Sequence, residues 1–302
     1  MYRRAIAITG CLTLTLGSAV VAQDESMPAS IDAPCSEAFL EPMTFEATLD
    51  AEQTAALDAL LGAFVTVPDD PEMANALGTP APAPGSVIYV DSPDGRYSSA
   101  IGVADFETCE PLEPTSAFPI GSHTKMFVAA VIYQLQEEDL LSTSDLVSEY
   151  LPDEIGLFPR SVDATIDQLL THTAGLSDWE SSVEADSLGT RIYTGDPGAL
   201  GQAMTTAELI SMTAELQDDP DQPTFAPGEP GQWSYANVGF NMLGLIIEQV
   251  TGQPWTEAVR ERVLEPLGMD DTVLVEGVAP AELGLPSGYL APPFEIDANG
   301  WD

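Results

Sequence analysis

Along the chain the period of the apolar positions changes, and the changes mark out its elements. After Asp50, the residues Ala55, Leu57, Leu60, Leu61 and Phe64 recur at helical spacing, with the Asp50 carboxylate placed as an N-cap. Two β-rich runs follow, 86–90 and 97–103. Ser92-Pro93-Asp94-Gly95 lies between them, so they predict a hairpin. Beyond Phe118 the period becomes helical. Helices are expected over 126–139, 165–173, 205–216, 237–251 and 255–264. Thr205-Thr206-Ala207-Glu208 opens the third of these as a capping box. The fourth is apolar almost throughout and stops at Gly252, and Pro254 opens the fifth.

The intervening stretches are of different kinds. Residues 24–36 are polar and read as a flexible lead. Residues 68–85 are rich in proline and alanine and form a stiff loop. Residues 177–204 are acidic and irregular, a length at which loops usually carry function or move. A hairpin alone is not a stable sheet. Only 271–275 and 287–290 remain as strand candidates before the chain stops at Gly300-Trp301-Asp302. The expectation is a reading frame truncated at its C-terminus.

Charge narrows the function classes. Forty-nine acidic residues against eight basic ones give a formal net charge of −41, while 44% of the residues are apolar, enough for a core. Nucleic acid and anionic membrane surfaces are excluded as partners, because both need basic patches. A fold this charged repels itself in dilute buffer. In molar salt the Debye length falls to about 3 Å and most of that penalty disappears. Lysine is almost purged, so a salty habitat is expected.

The N-terminus has the form of a secretory signal. Arg3-Arg4 precede an apolar run over 5–21, and Val20-Val21-Ala22 suits cleavage before Gln23. The run is short for a membrane span, and no stop-transfer pattern follows it. The mature chain would then be secreted or periplasmic, with no stable membrane anchor. Cleavage would leave Cys35 and Cys109, which in an oxidising compartment either pair or stay as thiols; spacing alone does not decide. Two histidines and two cysteines, widely scattered, do not make a metal site, and no cofactor is expected.

The only lysine, Lys125, stands three residues after Ser122 in Gly121-Ser122-His123-Thr124-Lys125. Positions i and i+3 share one face of a helix. A serine hydroxyl becomes a competent nucleophile when a neighbouring base takes its proton, and a partly desolvated lysine amine can be that base. Apolar residues on both sides of the pair argue for a sheltered amine. A second element, Trp233-Ser234-Tyr235-Ala236-Asn237, brings a phenol and an amide to the entry of an apolar helix. The phenol of Tyr235 can move protons, and the Asn237 amide can hold a substrate carbonyl or orient the lysine. His172 reads as a structural residue, His123 as local packing, and Trp179, Tyr193 and Trp233 as core or rim.

Taken together, Gly121-Ser122-His123-Thr124-Lys125, then Leu169-Leu170-Thr171-His172-Thr173-Ala174-Gly175-Leu176, then Tyr235-Ala236-Asn237 resemble the serine β-lactamase-related superfamily. Class C β-lactamases, D-alanyl-D-alanine carboxypeptidases and family VIII esterases belong to it. Phe225-Ala226-Pro227-Gly228 and Glu265-Pro266-Leu267-Gly268-Met269 also look like that group, and the likeness covers about residues 50–290. The resemblance implies an α/β plus all-α fold, an antiparallel sheet flanked by helices with an inserted helical domain, here with late strands missing. On that reading 1–22 is the signal peptide, 23–49 a flexible lead, 50–121 with 270–302 an incomplete α/β domain, and 122–269 the helical domain. It further implies Ser122 as the acylated nucleophile, Lys125 as its base, Tyr235 as a proton-transfer aid and Asn237 as a substrate contact. The substrate would be a small molecule or peptide: an acyl-D-Ala-D-Ala peptide, a β-lactam or an ester. The family's third motif, Lys/His-x-Gly, is absent, since no lysine or histidine follows His172. The alternatives are a family VIII-type carboxylesterase, and a non-catalytic penicillin-recognising chain or inactive fragment.

The charge makes a direct prediction. The melting temperature should rise from dilute buffer to molar KCl, and a flat melting temperature over that range would contradict adaptation to salt.

Overall fold

The computed structural model describes residues 6–9, 42–65, 85–105, 108–178, 205–218, 222–223 and 225–275. Its strands and α-helices run β1 (Ile6–Thr9), β2 (Met43–Ala47), α1 (Ala51–Val65), β3 (Gly85–Ser92), β4 (Gly95–Asp105), β5 (Glu110–Pro111), α2 (Thr124–Glu137), α3 (Pro152–Gly156), α4 (Ile166–Leu170), α5 (Thr206–Glu215), α6 (Asn237–Thr251), α7 (Trp255–Val259) and β6 (Thr272–Val275). The chain divides into two compact units. One comprises Ser18–Ser116 and Gly284–Asp302, the other Met1–Gly17 and Ala117–Leu283.

The smaller unit is built on the expected hairpin. β3 and β4 pair antiparallel from Gly85↔Gly102 to Ser92↔Gly95. β2 lies on the other side of β4, giving the order β2-β4-β3, and a register shift between Thr44 and Glu46 interrupts the β2 pairing. α1 begins as expected, with the Gln53 N–H donating to Asp50 Oδ1 at 2.8 Å. Its buried side differs from the one expected. Leu57, Leu61 and Val65 face inward at i, i+4 and i+8, and Leu61 and Val65 join Ile101 in a small core. Leu60 is 43% exposed. Tyr97 sits under this helix, its hydroxyl donating to Asp58 at 2.5 Å, and burial followed by that carboxylate pushes the phenol up to about 12.

β2 overturns part of the expected flexible lead, because residues 43–47 are a paired strand. Their apolar residues do not mark them as core: Met43 and Phe45 are 45% and 49% exposed. Backbone pairing to β4, rather than side-chain burial, defines this strand. Cys109 is disulfide-bonded, and Cys35 lies outside the described residues.

The larger unit is helical, and α6 is its centre. Val238, Phe240, Met242, Leu243, Ile246 and Ile247 are all buried, each side chain worth about 1.5–3 kcal/mol of apolar transfer. α2, α4, α5 and α7 pack against it. α6 matches the expected 237–251 and ends at Gly252. α5 carries the expected capping box, with Thr205 and Glu208 exchanging side-chain to backbone bonds. α2 starts two residues earlier than expected, after a 3₁₀ turn over Gly121–His123, because Thr124 and Lys125 are already buried in the first turn. The last expected helix changes to a π-helical turn over Arg260–Leu264, where Arg260 gathers Glu257 and Glu265. β1 pairs parallel with β6, register Ile6↔Thr272 to Thr9↔Val275, so part of the stretch read as a leader is paired here. The strand candidate at 287–290 lies outside the described residues.

Gly175 is the tightest point. Its φ is +69°, and a Cβ there would stand 2.3 Å from the Phe225 carbonyl oxygen. Gly175→Ala should therefore destabilise the fold by about 1–3 kcal/mol or more. Gly156→Ala, at the end of α3 with nothing beyond its chain neighbours and own helix backbone within 4 Å of the added carbon, should be neutral or slightly stabilising. Equal melting temperatures for the two variants would contradict this packing.

Candidate active site

The site forms where two loops meet the start of α2, all within the helical unit. Gly121, at φ +50°, lets the chain turn sharply into the 3₁₀ turn that carries Ser122. Ser122 is exposed. One turn on, Lys125 is 8% exposed, held in the buried first turn of α2. Its Nζ donates to Ser122 Oγ at 3.3 Å and to Asn237 Oδ1 at 2.7 Å. On the other side of Ser122 Oγ, the Tyr235 hydroxyl lies at 2.7 Å. The ammonium stands 4.7 Å from the centre of the Tyr235 ring and 5.5 Å from that of Phe240, close enough for cation–π attraction. Ser122, Lys125, Tyr235 and Asn237, far apart in sequence, thus form one hydrogen-bonded set.

Two segments, 171–178 and 225–237, are laced together to hold Tyr235 and Asn237. The Gly228 N–H donates to the Thr173 carbonyl at 2.9 Å and the Ser234 N–H to the His172 carbonyl at 3.0 Å. The Ala236 N–H donates to His172 Nδ1 at 3.2 Å, and the Asn237 N–H to Asp178 Oδ1 at 3.1 Å. His172 is central to the lacing. Its backbone is left-handed at φ +57°, and its ring lies 4.5 Å from the Tyr235 ring and 5.4 Å from that of Phe240. Because Nδ1 accepts a hydrogen bond, the ring must be unprotonated there. Burial, and then the neighbouring Lys125 charge, lower its pKa to about 4. His172 therefore buttresses the Tyr235 loop and does not touch Ser122 in any described contact.

Asn237 is fully engaged within the protein. The residue is 1% exposed, and both ends of its amide are engaged: Oδ1 accepts from Lys125, and Nδ2 donates to Asp178. In this arrangement it orients the lysine, the second of the two roles its amide offered in the sequence, while the resemblance implied a substrate contact. Asp178, 2% exposed, is a site residue that sequence reasoning missed. A single acid at the edge of an acidic stretch carries no local pattern, and its partner is 59 positions away. His123 packs locally, Nδ1 lying 2.9 Å from the Ile120 carbonyl. Trp233 is 62% exposed, edge-on to His172, at the rim. Trp179 and Tyr193 lie outside the described residues. Among the described residues no group of three or more His, Cys, Asp or Glu is placed to hold a metal.

Chemically, this arrangement is suited to activating an alcohol. Two proton-transfer groups reach one exposed hydroxyl, and its N–H lies at a helix start, where first-turn donors lack intrahelical acceptors. The sequence model of the Beta-lactamase family matches residues 55–283. The chain belongs to the beta-lactamase family. It is 30% identical over 185 residues to a putative penicillin-binding protein, PbpX, of Bacillus subtilis, covering 61% of this chain and 40% of that one. Over 180 residues it is 34% identical to esterase EstB of Burkholderia gladioli, covering 58% and 43%. Against both, the chain spans less than half the relative's length. Among solved structures, the octameric penicillin-binding protein homologue from Pyrococcus abyssi superposes with a TM-score of 0.51 at 28% identity, covering 74% of this chain and 44% of that one. A D-stereospecific amidohydrolase from Streptomyces superposes at 0.50 and 26%, covering 65% and 52%. The fold is thus β-lactamase/transpeptidase-like, with an antiparallel sheet and helices.

His172 gives this family member a pH signature. Its pKa is about 4 folded and about 6.5 unfolded, so the unfolded chain binds more protons between those values. The stability it contributes is complete above pH 6.5 and is lost as pH falls toward 4. His172→Asn keeps an acceptor and tolerates the left-handed backbone but does not titrate there. Between pH 6.5 and 4 the wild type should lose melting temperature more steeply than this variant; parallel curves would contradict the buttress.

Proposed function

We propose that this chain is a secreted serine hydrolase that works through an acyl-enzyme on Ser122. The observation that carries the reading is the hydrogen-bonded set around Ser122 Oγ, in which a buried ammonium and a phenol both reach the nucleophile. In the proposed cycle the hydroxyl proton passes to Lys125 when its amine is neutral, either directly or through Tyr235, whose hydroxyl takes it and gives up its own to the amine, as Oγ bonds to an amide, β-lactam or ester carbonyl carbon. The leaving group departs with a proton returned from the same pair. Water then attacks the acyl carbon and releases the acid, restoring Ser122. Export is supported by the Arg3-Arg4 start and the apolar run after it, and a disulfide at Cys109 fits an oxidising compartment. Among the described residues no helix is long and apolar enough to cross a membrane.

Within this class, a neutral ester makes the least demand on the described residues. A substrate carboxylate needs a cation, and the described guanidinium groups are engaged elsewhere. Arg96 pairs with Asp91, Arg262 with Glu138, and Arg260 with Glu257 and Glu265, while Arg160 binds the Pro223 and Gln217 carbonyls. A binding protein without turnover is the remaining reading, and Ser122→Ala separates it: ligand affinity would survive in a binder, whereas an enzyme would lose turnover.

The test is incubation in molar KCl with a short-chain p-nitrophenyl ester and, separately, a penicillin, followed by intact mass and peptide mapping. A covalent acyl group on Ser122, absent in Ser122→Ala, is expected, with ester turnover exceeding that of penicillin. Failure of both reagents to mark Ser122 would contradict the proposal.

A further inference from the structure

Taking Lys125 as the proton partner of Ser122, as proposed above, we infer that Asp178 is the positioning residue that sets the direction of the Asn237 amide and, through it, the charge state of Lys125. An asparagine amide can turn over and exchange its oxygen and nitrogen at almost no internal cost, so something outside it must fix which end faces the lysine. Asp178 does so. Its two oxygens accept from Asn237 Nδ2 at 3.4 and 3.3 Å, and a carboxylate accepts only. A turned-over amide would set an oxygen against that carboxylate and an NH₂ against the ammonium. With the observed orientation, Oδ1 meets Lys125 Nζ at 2.7 Å.

Asp178 is itself held rigidly. Its N–H donates to Gln222 Oε1 at 2.7 Å and its carbonyl accepts from Gln222 Nε2 at 2.9 Å, both buried. Its Oδ1 also accepts the N–H of Asn237, the first residue of the fifteen-residue α6, so the positive end of that helix helps keep the carboxylate in place. The result is a chain from carboxylate to amide to ammonium to the Ser122 hydroxyl. The negative end favours the protonated amine, and the amide aims it.

The purge of lysine makes this testable directly. Protein labelled with carbon-13 at lysine Cε shows a single lysine signal, from Lys125, whose chemical shift follows its titration. In Asp178→Asn the opposing charge is gone and either amide direction is allowed. The Lys125 midpoint should move to lower pH. The acid limb of Ser122 labelling by a fluorophosphonate should move the same way, and its plateau should fall about tenfold or more through misplacement of the amine. The exchanged pair Asp178→Asn with Asn237→Asp keeps one carboxylate and one amide in the same volume. It sets the charge directly against the ammonium, so its Lys125 midpoint should lie above that of the wild type. If Asp178→Asn does not fold, the exchanged pair alone decides. A Lys125 midpoint unmoved in these variants overturns the role of Asp178, since a merely structural residue would change stability without changing that titration. An unlabelled Ser122 in the wild type instead overturns the reading of the site, and the titration still decides the part played by Asp178.

Discussion

A buried ammonium needs partners, and the architecture of the helical unit answers that need. Lys125 keeps 8% of its surface exposed in the first turn of α2. Burying an unpaired charge costs several kcal/mol, so it persists only where acceptors are fixed in advance. The Asn237 oxygen, the Ser122 hydroxyl and the faces of two aromatic rings supply that surrounding. Apart from Ser122, one turn before the lysine in the chain, each of these groups must be brought in from distant sequence.

The helical core does this bringing-in. α6 is buried nearly all round and cannot shift without opening the core, so its first residue, Asn237, is a rigid post. The loop before it is held by hydrogen bonds to residues 172, 173 and 178, and Gly175 allows the close approach that this lacing requires. Ser122, Lys125, Tyr235 and Asn237 therefore sit at the ends of packed helices and on short tethered loops. Such support keeps catalytic groups in place without a price in motion at the moment of reaction.

Much of this was legible in the sequence, and the reasons are physical. The bounds of α6 follow from a long apolar run closed by Gly252, and the hairpin follows from two β-rich runs around Pro93-Asp94. Ser122 and Lys125 stand one turn apart at a helix start, so spacing alone brought them together. Other features have no local signal. Residues 43–47 form a strand through backbone pairing while Met43 and Phe45 stay exposed, so no burial pattern marks them. Pro152–Gly156 is a helix too short to show a period. Asp178 and Gln222 matter through contacts across 44 and 59 positions, and the left-handed backbone of His172 is imposed by its surroundings. Asn237 was found, but its direction depends on an acid that only the folded chain brings to it.

Activation of Ser122 by Lys125 is the central proposal. The most direct measurement is the rate at which a fluorophosphonate labels Ser122 in Lys125→Met, compared with wild type in molar KCl, with melting temperatures checked for both. Methionine fills the same sheltered space without a charge or a proton to exchange. The prediction is a variant that stays folded and labels at least about 100-fold more slowly, the scale of a lost general base. A folded variant that labels as fast as the wild type would contradict the account.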